Sequence, residues 1–410
     1  MFAPRRPQLL VLVGIVLVAL TLRSAATAVS PLLEQLRADL DIGTTAVGVL
    51  GLLAPACFAG VGALTPALGR RLGLERALVL SLFVTVVGSL TRPLAPSTTA
   101  FLLLSAVTLS GMAAGNVLLP PLVKRYFPGR IGPVTSLYVV MIAAGAALPP
   151  YLAVPVADSF GWRLSLASWG LVALVAVLPW LPRLPAASGV VVIAQGRVAV
   201  LRSRRAWGLT VMFGMTALNV YALFVWLPPI LIDAGLSVDR AGVLLGLYAG
   251  TGIPASIVVP LIAARMRNPF PLVVLFTAFF GIGYAGLAFA PAAHPALWVV
   301  LAGLGPSTFP ISITMINLRT TTESGSASLS GMVQGIGYAV AGVGPLAFGL
   351  LHDATDAWTA SLGLLSGTVG LMLVGAWFAC RPGTVEQELT DRGLAGDDHG
   401  VAPVLTGQTP

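Results

Sequence analysis

Twelve times along its 410 residues the chain runs through an apolar stretch long enough to cross a lipid bilayer. The stretches lie near 9–30, 46–68, 74–93, 98–119, 133–157, 162–182, 207–232, 239–262, 270–290, 295–317, 327–351 and 358–380, separated by short polar breaks with Gly, Pro and Arg. At 1.5 Å per residue, about 20 helical residues span a hydrocarbon core of about 30 Å. Lipid offers no partner to a peptide N–H or C=O, so a continuous apolar stretch must satisfy its own backbone as a helix. The pattern predicts an all-α polytopic membrane protein with 12 transmembrane helices. Composition agrees: 57% of residues are hydrophobic and only 9% charged, against about 25% charged in soluble domains. Mean hydropathy is +0.92. A soluble enzyme with a large core is excluded. The first stretch is too long for a signal-peptide core and leads into no small-residue cleavage site, so it is read as a span.

The charges that remain sort by side. Of 23 Lys and Arg, 18 fall on the side of the N-terminus, four (Arg37, Arg92, Arg163 and Arg240) fall on the other, and Arg23 lies inside the first stretch. Cytoplasmic loops carry the excess of Lys and Arg. The asymmetry predicts both termini in the cytoplasm and a multi-pass protein of the cytoplasmic (inner) membrane. The net charge of +8 then reports topology, and no nucleic-acid partner is expected. Cys57 and Cys380 lack metal-ligand spacing, and His294, His352 and His399 sit at span ends or in the tail. No metal, cofactor or nucleophile constellation is expected.

The two halves of the chain repeat each other. GVLGL at Gly48–Leu52 returns as GVLLGL at Gly242–Leu247. Each is followed by a proline and basic residues: Pro66 with Arg70 and Arg71, Pro260 with Arg265 and Arg267. Gly145, Pro150, Asp158 and Trp162 find counterparts in Gly342, Pro345, Asp353 and Trp358. The offset is 194 at Pro66 and 195 at Asp158. A shared offset at two distant places predicts two six-helix pseudo-symmetric halves in the same orientation. These are residues 1–182 and 206–380, joined by a cytoplasmic linker at 183–205 and followed by a disordered tail, 381–410. The linker mixes apolar residues with Arg, which suits either an interfacial helix or a plain connector.

Arg23 is the first functional suspect. It falls near or beyond the middle of its span, where a guanidinium costs between about 2.5 and 17 kcal/mol by different scales. It persists there by snorkelling to an interface, by pairing, or by facing a wet cavity. The acids offer no partner at that depth. Glu34, Asp39, Asp41, Glu75, Asp158, Asp233, Asp239, Glu323, Asp353 and Asp356 lie in loops or at span ends, and five more lie in the tail. A cavity-facing Arg suits an anion, because its planar fork offers two parallel donors and stays charged. The missing acids also leave no carboxylate proton relay, so coupling would carry a proton with the anion or exchange one solute for another. Neutral polar and aromatic residues complete the candidates: Asn116, Asn219, Tyr221, Trp226, Tyr248, Ser307, Thr308, Gln334 and Tyr338. Any of them can equally be interhelical glue, and Trp226, before Pro228 and Pro229, an interfacial anchor.

The loop after the second span reads GALTPALGRR from Gly62 to Arg71. It resembles the loop signature of major facilitator transporters, G-x-x-x-D-[RK]-x-G-[RK]-[RK]. Gly62, Gly69, Arg70 and Arg71 are in place, while Pro66 and Ala67 stand where the acid and first base belong. In that family the acid holds a charge network at the cytoplasmic gate, so Pro66 removes its usual member. Arg70 and Arg71 are then either gate residues or positive-inside anchors. LRSAATAVSPLL in the first span, GNVLLPPLVKRYFP in the fourth, YALFVWLPPIL in the seventh and SGMVQGIGYAVAGVGPLAFGLLHD in the eleventh resemble the cyanate and nitroimidazole transporter branch. Thr21 stands where the branch's N-L-R motif commonly has Asn. The resemblance runs from Leu9 to Cys380 and implies a monomeric secondary transporter of small, often anionic, solutes. It also implies a central cavity lined by the first, fourth, seventh and tenth helices with residues of their neighbours. On that implication the substrate-binding candidates are Arg23, Asn116, Tyr221, Gln334 and Tyr338.

The expected function is secondary active transport of a small anionic solute by alternating access, with Arg23 as anchor and with or without a co-transported proton. An exporter of small aromatic or nitro compounds is the alternative. A polytopic membrane enzyme is a distant one, since no catalytic acids, His or metal ligands gather at one face.

Overall fold

The structure, a computed structural model, describes residues 6–184 and 200–394. Most of the linker, and with it the choice between interfacial helix and plain connector, lies outside these residues. So does the tail from 395. Twelve described helical segments are long and apolar enough to cross a membrane, as the apolar periods require. The first half comprises α1 (Arg6–Thr27), a short α2 (Leu33–Leu40), α3 (Thr44–Leu72), α4 (Leu74–Thr91), α5 (Thr98–Tyr126), α6 (Ile131–Phe160) and α7 (Trp162–Val177). The second comprises α8 (Arg204–Asp233), α9 (Val238–Arg265), α10 (Phe270–Phe289), the pair α11 (Pro295–Leu304) and α12 (Thr308–Leu318), α13 (Glu323–Thr355) and α14 (Trp358–Cys380). α11 and α12 form one span, broken by a tight turn at Gly305–Ser307, where Pro306 cannot donate a ladder hydrogen bond. Ser97, Ser203, Ser237 and Thr322 cap the N-termini of α5, α8, α9 and α13. Gly73 and Gly161 each turn the chain between two spans in a single residue, at φ of 84° and 83°, which only glycine adopts without strain.

The face where α1 begins and α14 ends is the terminal face; the opposite one is the far face. The halves repeat in contacts as well as in sequence. Trp162 Nε1 donates to Asp39 Oδ2 (2.8 Å) in the first half, and Trp358 Nε1 to Asp233 Oδ2 (2.9 Å) in the second. Ser165 Oγ donates to Ala153 O at 2.9 Å, and Ser361 Oγ to Phe348 O at 2.8 Å. Gly145 of α6 abuts the carbonyl of Leu20 in α1, while Gly344 of α13 abuts Leu218 in α8. The two contacts join corresponding helix pairs but not at one register, since the serine bonds pair Ala153 with Phe348.

Between the halves, α3 packs on α13 and α6 on α9. Gly331 of α13 seats against Pro66, and Gly132 of α6 against Pro260 O and Ala264 of α9. Contact fades toward the far face. A Cβ on Gly342 would lie 3.7 Å from Pro55, and Gly51 and Gly48 of α3 have no neighbour within 4 Å. Gly252, Gly250, Gly246 and Gly242 of α9 are equally open. The bundle is closed at the terminal face and parted at the far face.

The tail departs from the expected disorder. Residues Val385–Asp391 form α15, opened by a capping box at Thr384 and Gln387. Its acids reach other helix ends. Glu388 accepts from Ser203 Oγ (2.7 Å) and from the backbone N–H of Arg204 (2.9 Å) and Arg205 (3.2 Å). Glu386 Oε1 accepts from the N–H of Thr321 at 2.9 Å. Polar composition hid this, because the stabilising partners are orphan donors at the N-terminal ends of α8 and α13.

Candidate functional site

Arg23 lies in the last turns of α1 and turns into the interface between the halves. Its Nη2 donates to Tyr338 Oη of α13 at 2.8 Å, and its Nη1 points at Tyr221 Oη of α8 at 3.5 Å, the outer limit of a hydrogen bond. Phe58 of α3 presents its ring 5.0 Å from the guanidinium carbon, and the Tyr338 ring lies at 5.8 Å. Phe58 and Phe213 flank Tyr338, with ring centroids at 5.0 and 5.1 Å. Among the described residues no carboxylate forms an ion pair with Arg23.

The network continues toward the terminal face. Asn116 Nδ2 of α5 donates to Gln334 Oε1 at 2.7 Å and lies 3.4 Å from Tyr338 Oη. Gln334 Nε2 donates to Ser330 Oγ (2.8 Å), which donates to Val117 O (2.9 Å). All five sequence candidates thus meet in one cluster contributed by both halves. Its chemistry is donor-rich. Tyr338 Oη accepts from Arg23 and Asn116, which leaves its own proton free for a ligand acceptor, since a phenol is both donor and acceptor. Two fork donors and two phenol protons converge on one place, enclosed by aromatic faces.

At the terminal face a second, charged cluster closes the halves. Arg125 Nη1 of α5 donates to both carboxylate oxygens of Glu75 of α4, at 2.7 and 2.8 Å, and its Nε donates to Glu323 of α13 at 2.6 Å. Tyr126 Oη also donates to Glu75, at 2.8 Å. Lys124 Nζ donates across the interface to Asn317 O (2.7 Å), Thr320 O and Thr320 Oγ1 (3.0 Å). A charge network therefore exists without an acid at position 66. Pro66 is instead a packing contact: it fills the space beside Gly331 that a side chain there would occupy. Gly62 faces Gly335 and Gly69 lies beside Leu74 and Leu118, so both serve close approach. Arg70 and Arg71 enter none of the ion pairs formed by the described residues.

Other sequence candidates are packed away from this interface. Asn219 is fully buried, bonded to Thr368 Oγ1 and Tyr284 Oη, both at 2.8 Å. Thr308 bonds Thr216 at 2.8 Å, and Ser307 and Tyr248 are buried. Trp226 Nε1 donates to Pro345 O at 2.8 Å and its ring stacks near Phe348 and Trp358. Sequence reasoning missed Phe58, Phe213, Glu75 and Arg125. An apolar Phe inside an apolar span carries no distinguishing signal, and a charge at a span end looks like any topological anchor.

Comparison with known proteins meets this geometry. The description of the Major Facilitator Superfamily matches residues 12–305. The chain belongs to the major facilitator superfamily. It is a transporter and not an enzyme. Over 371 residues it is 34% identical to an uncharacterized transporter, YycB, of Bacillus subtilis, covering 88% of this chain and 91% of that one. It is 33% identical to the 2-nitroimidazole transporter of Escherichia coli (87% and 91% covered) and 29% identical to the cyanate transport protein CynX of the same organism (90% and 97%). The solved structure of the proton:xylose symporter XylE, bound to 6-bromo-6-deoxy-D-glucose, superposes with a TM-score of 0.75 at 14% identity, over 93% of this chain and 98% of that one. This major facilitator transporter thus carries the superfamily's two six-helix halves, with its mixed polar and aromatic cluster at their junction.

Proposed function

We propose that this transporter moves a small planar anion, cyanate-like or a small organic carboxylate, by alternating access, with Arg23 as the anchor. One observation carries the reading: Arg23 stands between the halves among phenols and aromatic rings, with no carboxylate among its partners. At about 4 Å a unit charge pair is worth about 1 kcal/mol in water but about 4 kcal/mol at an effective dielectric of about 20. A guanidinium held by neutral groups therefore keeps its attraction for an incoming anion. Tyr338 and Tyr221 belong to the α13 and α8 side and Arg23 to the other, so a ligand shared by them draws the halves together. Asn116 and Gln334 form the floor. The terminal face is the cytoplasmic face of the inner membrane in this reading, and the transporter acts as a monomer, open outward.

The test is counterflow in proteoliposomes with cyanate, formate, benzoate and 2-nitroimidazole. The expected result is exchange of at least one anion, abolished by Arg23→Gln and severely reduced by Arg23→Lys, which keeps charge but loses the fork. Near-normal rates in both variants would sink the anchor role. The second reading, export of neutral aromatic or nitro compounds, is favoured by the Phe58, Phe213 and Tyr338 rings. It wins if 2-nitroimidazole exchanges and Arg23→Gln leaves that exchange intact. Orientation is checked by membrane-impermeant thiol labelling in a background lacking Cys57 and Cys380: Arg202→Cys should react only from inside and Ser159→Cys only from outside.

A further inference from the structure

Arg92 follows α4 at the far face, yet it is not a surface charge. It is 1% exposed and lies against Phe101, a member of a buried apolar cluster that also holds Ala28, Val29 and Leu32. Its Nη1 donates to Ala25 O at 3.0 Å, while Nε and Nη2 have no hydrogen-bond partner among the described residues. The Phe101 ring lies 5.6 Å from its guanidinium carbon, and among the described residues it forms no ion pair. Ala25 is in the last turn of α1, two residues after Arg23. Carbonyls there have no intrahelical donor and sit at the negative end of the helix dipole, which a cation satisfies.

The internal repeat says whether the fold needs this charge. Gly88 of α4 abuts Thr108, and Gly283 of α10 abuts Ala302 in the same way. Gly111 abuts Thr85, and Gly305 abuts Phe280. These pairs place Arg92 opposite Leu287, which is also 1% exposed. One half fills the position with leucine; the half that carries Arg23 fills it with an arginine bearing two idle donors. Replacing such a buried charge by a well-packed apolar residue is often neutral or stabilising, so stability alone does not account for it.

We propose that Arg92 is a positioning residue: by holding the Ala25 carbonyl it fixes the last turn of α1 and so aims Arg23 into the interface. The proposal rests on Arg23 being the anion anchor, and its first readout needs no ligand. In the purified full chain, Arg92→Leu should speed amide hydrogen exchange in residues 23–29 with the melting temperature unchanged or raised, and Arg92→Lys should restore protection. In proteoliposomes, Arg92→Leu should raise KM for cyanate or benzoate, whichever the wild type exchanges, by about tenfold or more, as small misplacements of binding groups do. In an Arg23→Gln background the same change should add nothing. Unchanged exchange in residues 23–29 overturns the proposal. So does an Arg92→Leu protein that fails to fold, which makes the charge structural. If exchange speeds up but Arg23→Gln alone transports normally, the anchor reading has failed while the positioning contact stands.

Discussion

Arg23 of α1 and Tyr221 of α8 meet across the interface between the halves, the guanidinium Nη1 lying 3.5 Å from the phenol oxygen. Each lies three positions beyond a close helix contact, Leu20 on Gly145 and Leu218 on Gly344, on the helix that opens its half. A pseudo-symmetric scaffold thus brings one charge and one neutral hydroxyl face to face. The pairing is chemically asymmetric, and it leaves one net positive charge in the cluster.

Tyr338 shares Arg23 with Tyr221 and supplies the shorter bond. If the proposed anion is the substrate, Tyr338→Phe should raise its KM about ten- to a hundredfold, because a hydrogen bond to a charged group is worth about 1.5–3 kcal/mol. The ring contacts to Phe58 and Phe213 survive, so the melting temperature should hold. Uptake titrations at matched expression check it, and an unchanged KM removes the hydroxyl from the site.

Glu323 is the cross-half partner of Arg125, while Glu75 holds Arg125 within its own half. Glu323→Gln should loosen only the contact between halves, by about 1 kcal/mol for a partly exposed pair. Spin labels at Ser159 and Asp353, both exposed near the far face, should then show a larger fraction at short separation. An unaltered distance distribution would mean that the pair does not hold the closed terminal face.

Pro66→Asp would restore the acid of the loop signature. It should nevertheless destabilise, because position 66 is buried against Gly331 and a carboxylate there has its charge desolvated. Pro66→Ala should be milder. Thermal melts in detergent decide, and an Asp variant as stable as wild type would show that Arg70 or Arg71 can pair with it.

Burial works against the charge of Glu388, but the Ser203 hydroxyl and the N–H groups of Arg204 and Arg205 prevail and hold its carboxyl below the ordinary value. A depressed carboxyl contributes stability above its unfolded pKa, about 4.3, and loses it as pH falls through the folded value. Glu388→Ala should therefore lower stability at neutral pH by about 0.5–2 kcal/mol, as loss of a helix cap does. The gap between variant and wild type should close on acidification below about pH 4. A gap that persists in acid would assign α15 docking to Val385 and Leu389 packing instead.

The sequence by itself determined the spans, the repeat and the polar residues inside it, because lipid forces every apolar run to close its own hydrogen bonds. A charge such as Arg23 stands out in such a run without any knowledge of packing. Tertiary structure alone decided which of those residues converge. Asn116, Tyr221, Gln334 and Tyr338 gather round Arg23 while Asn219 and Thr308 knit one half together, and nothing in their local sequence separates the two groups. Helix rotation makes that choice, and it is set by small-residue contacts such as Gly145 on Leu20 and Gly331 on Pro66. The same holds for Arg92. In sequence it counts as a charge on the far side, and only packing takes it out of water and onto the helix that carries Arg23.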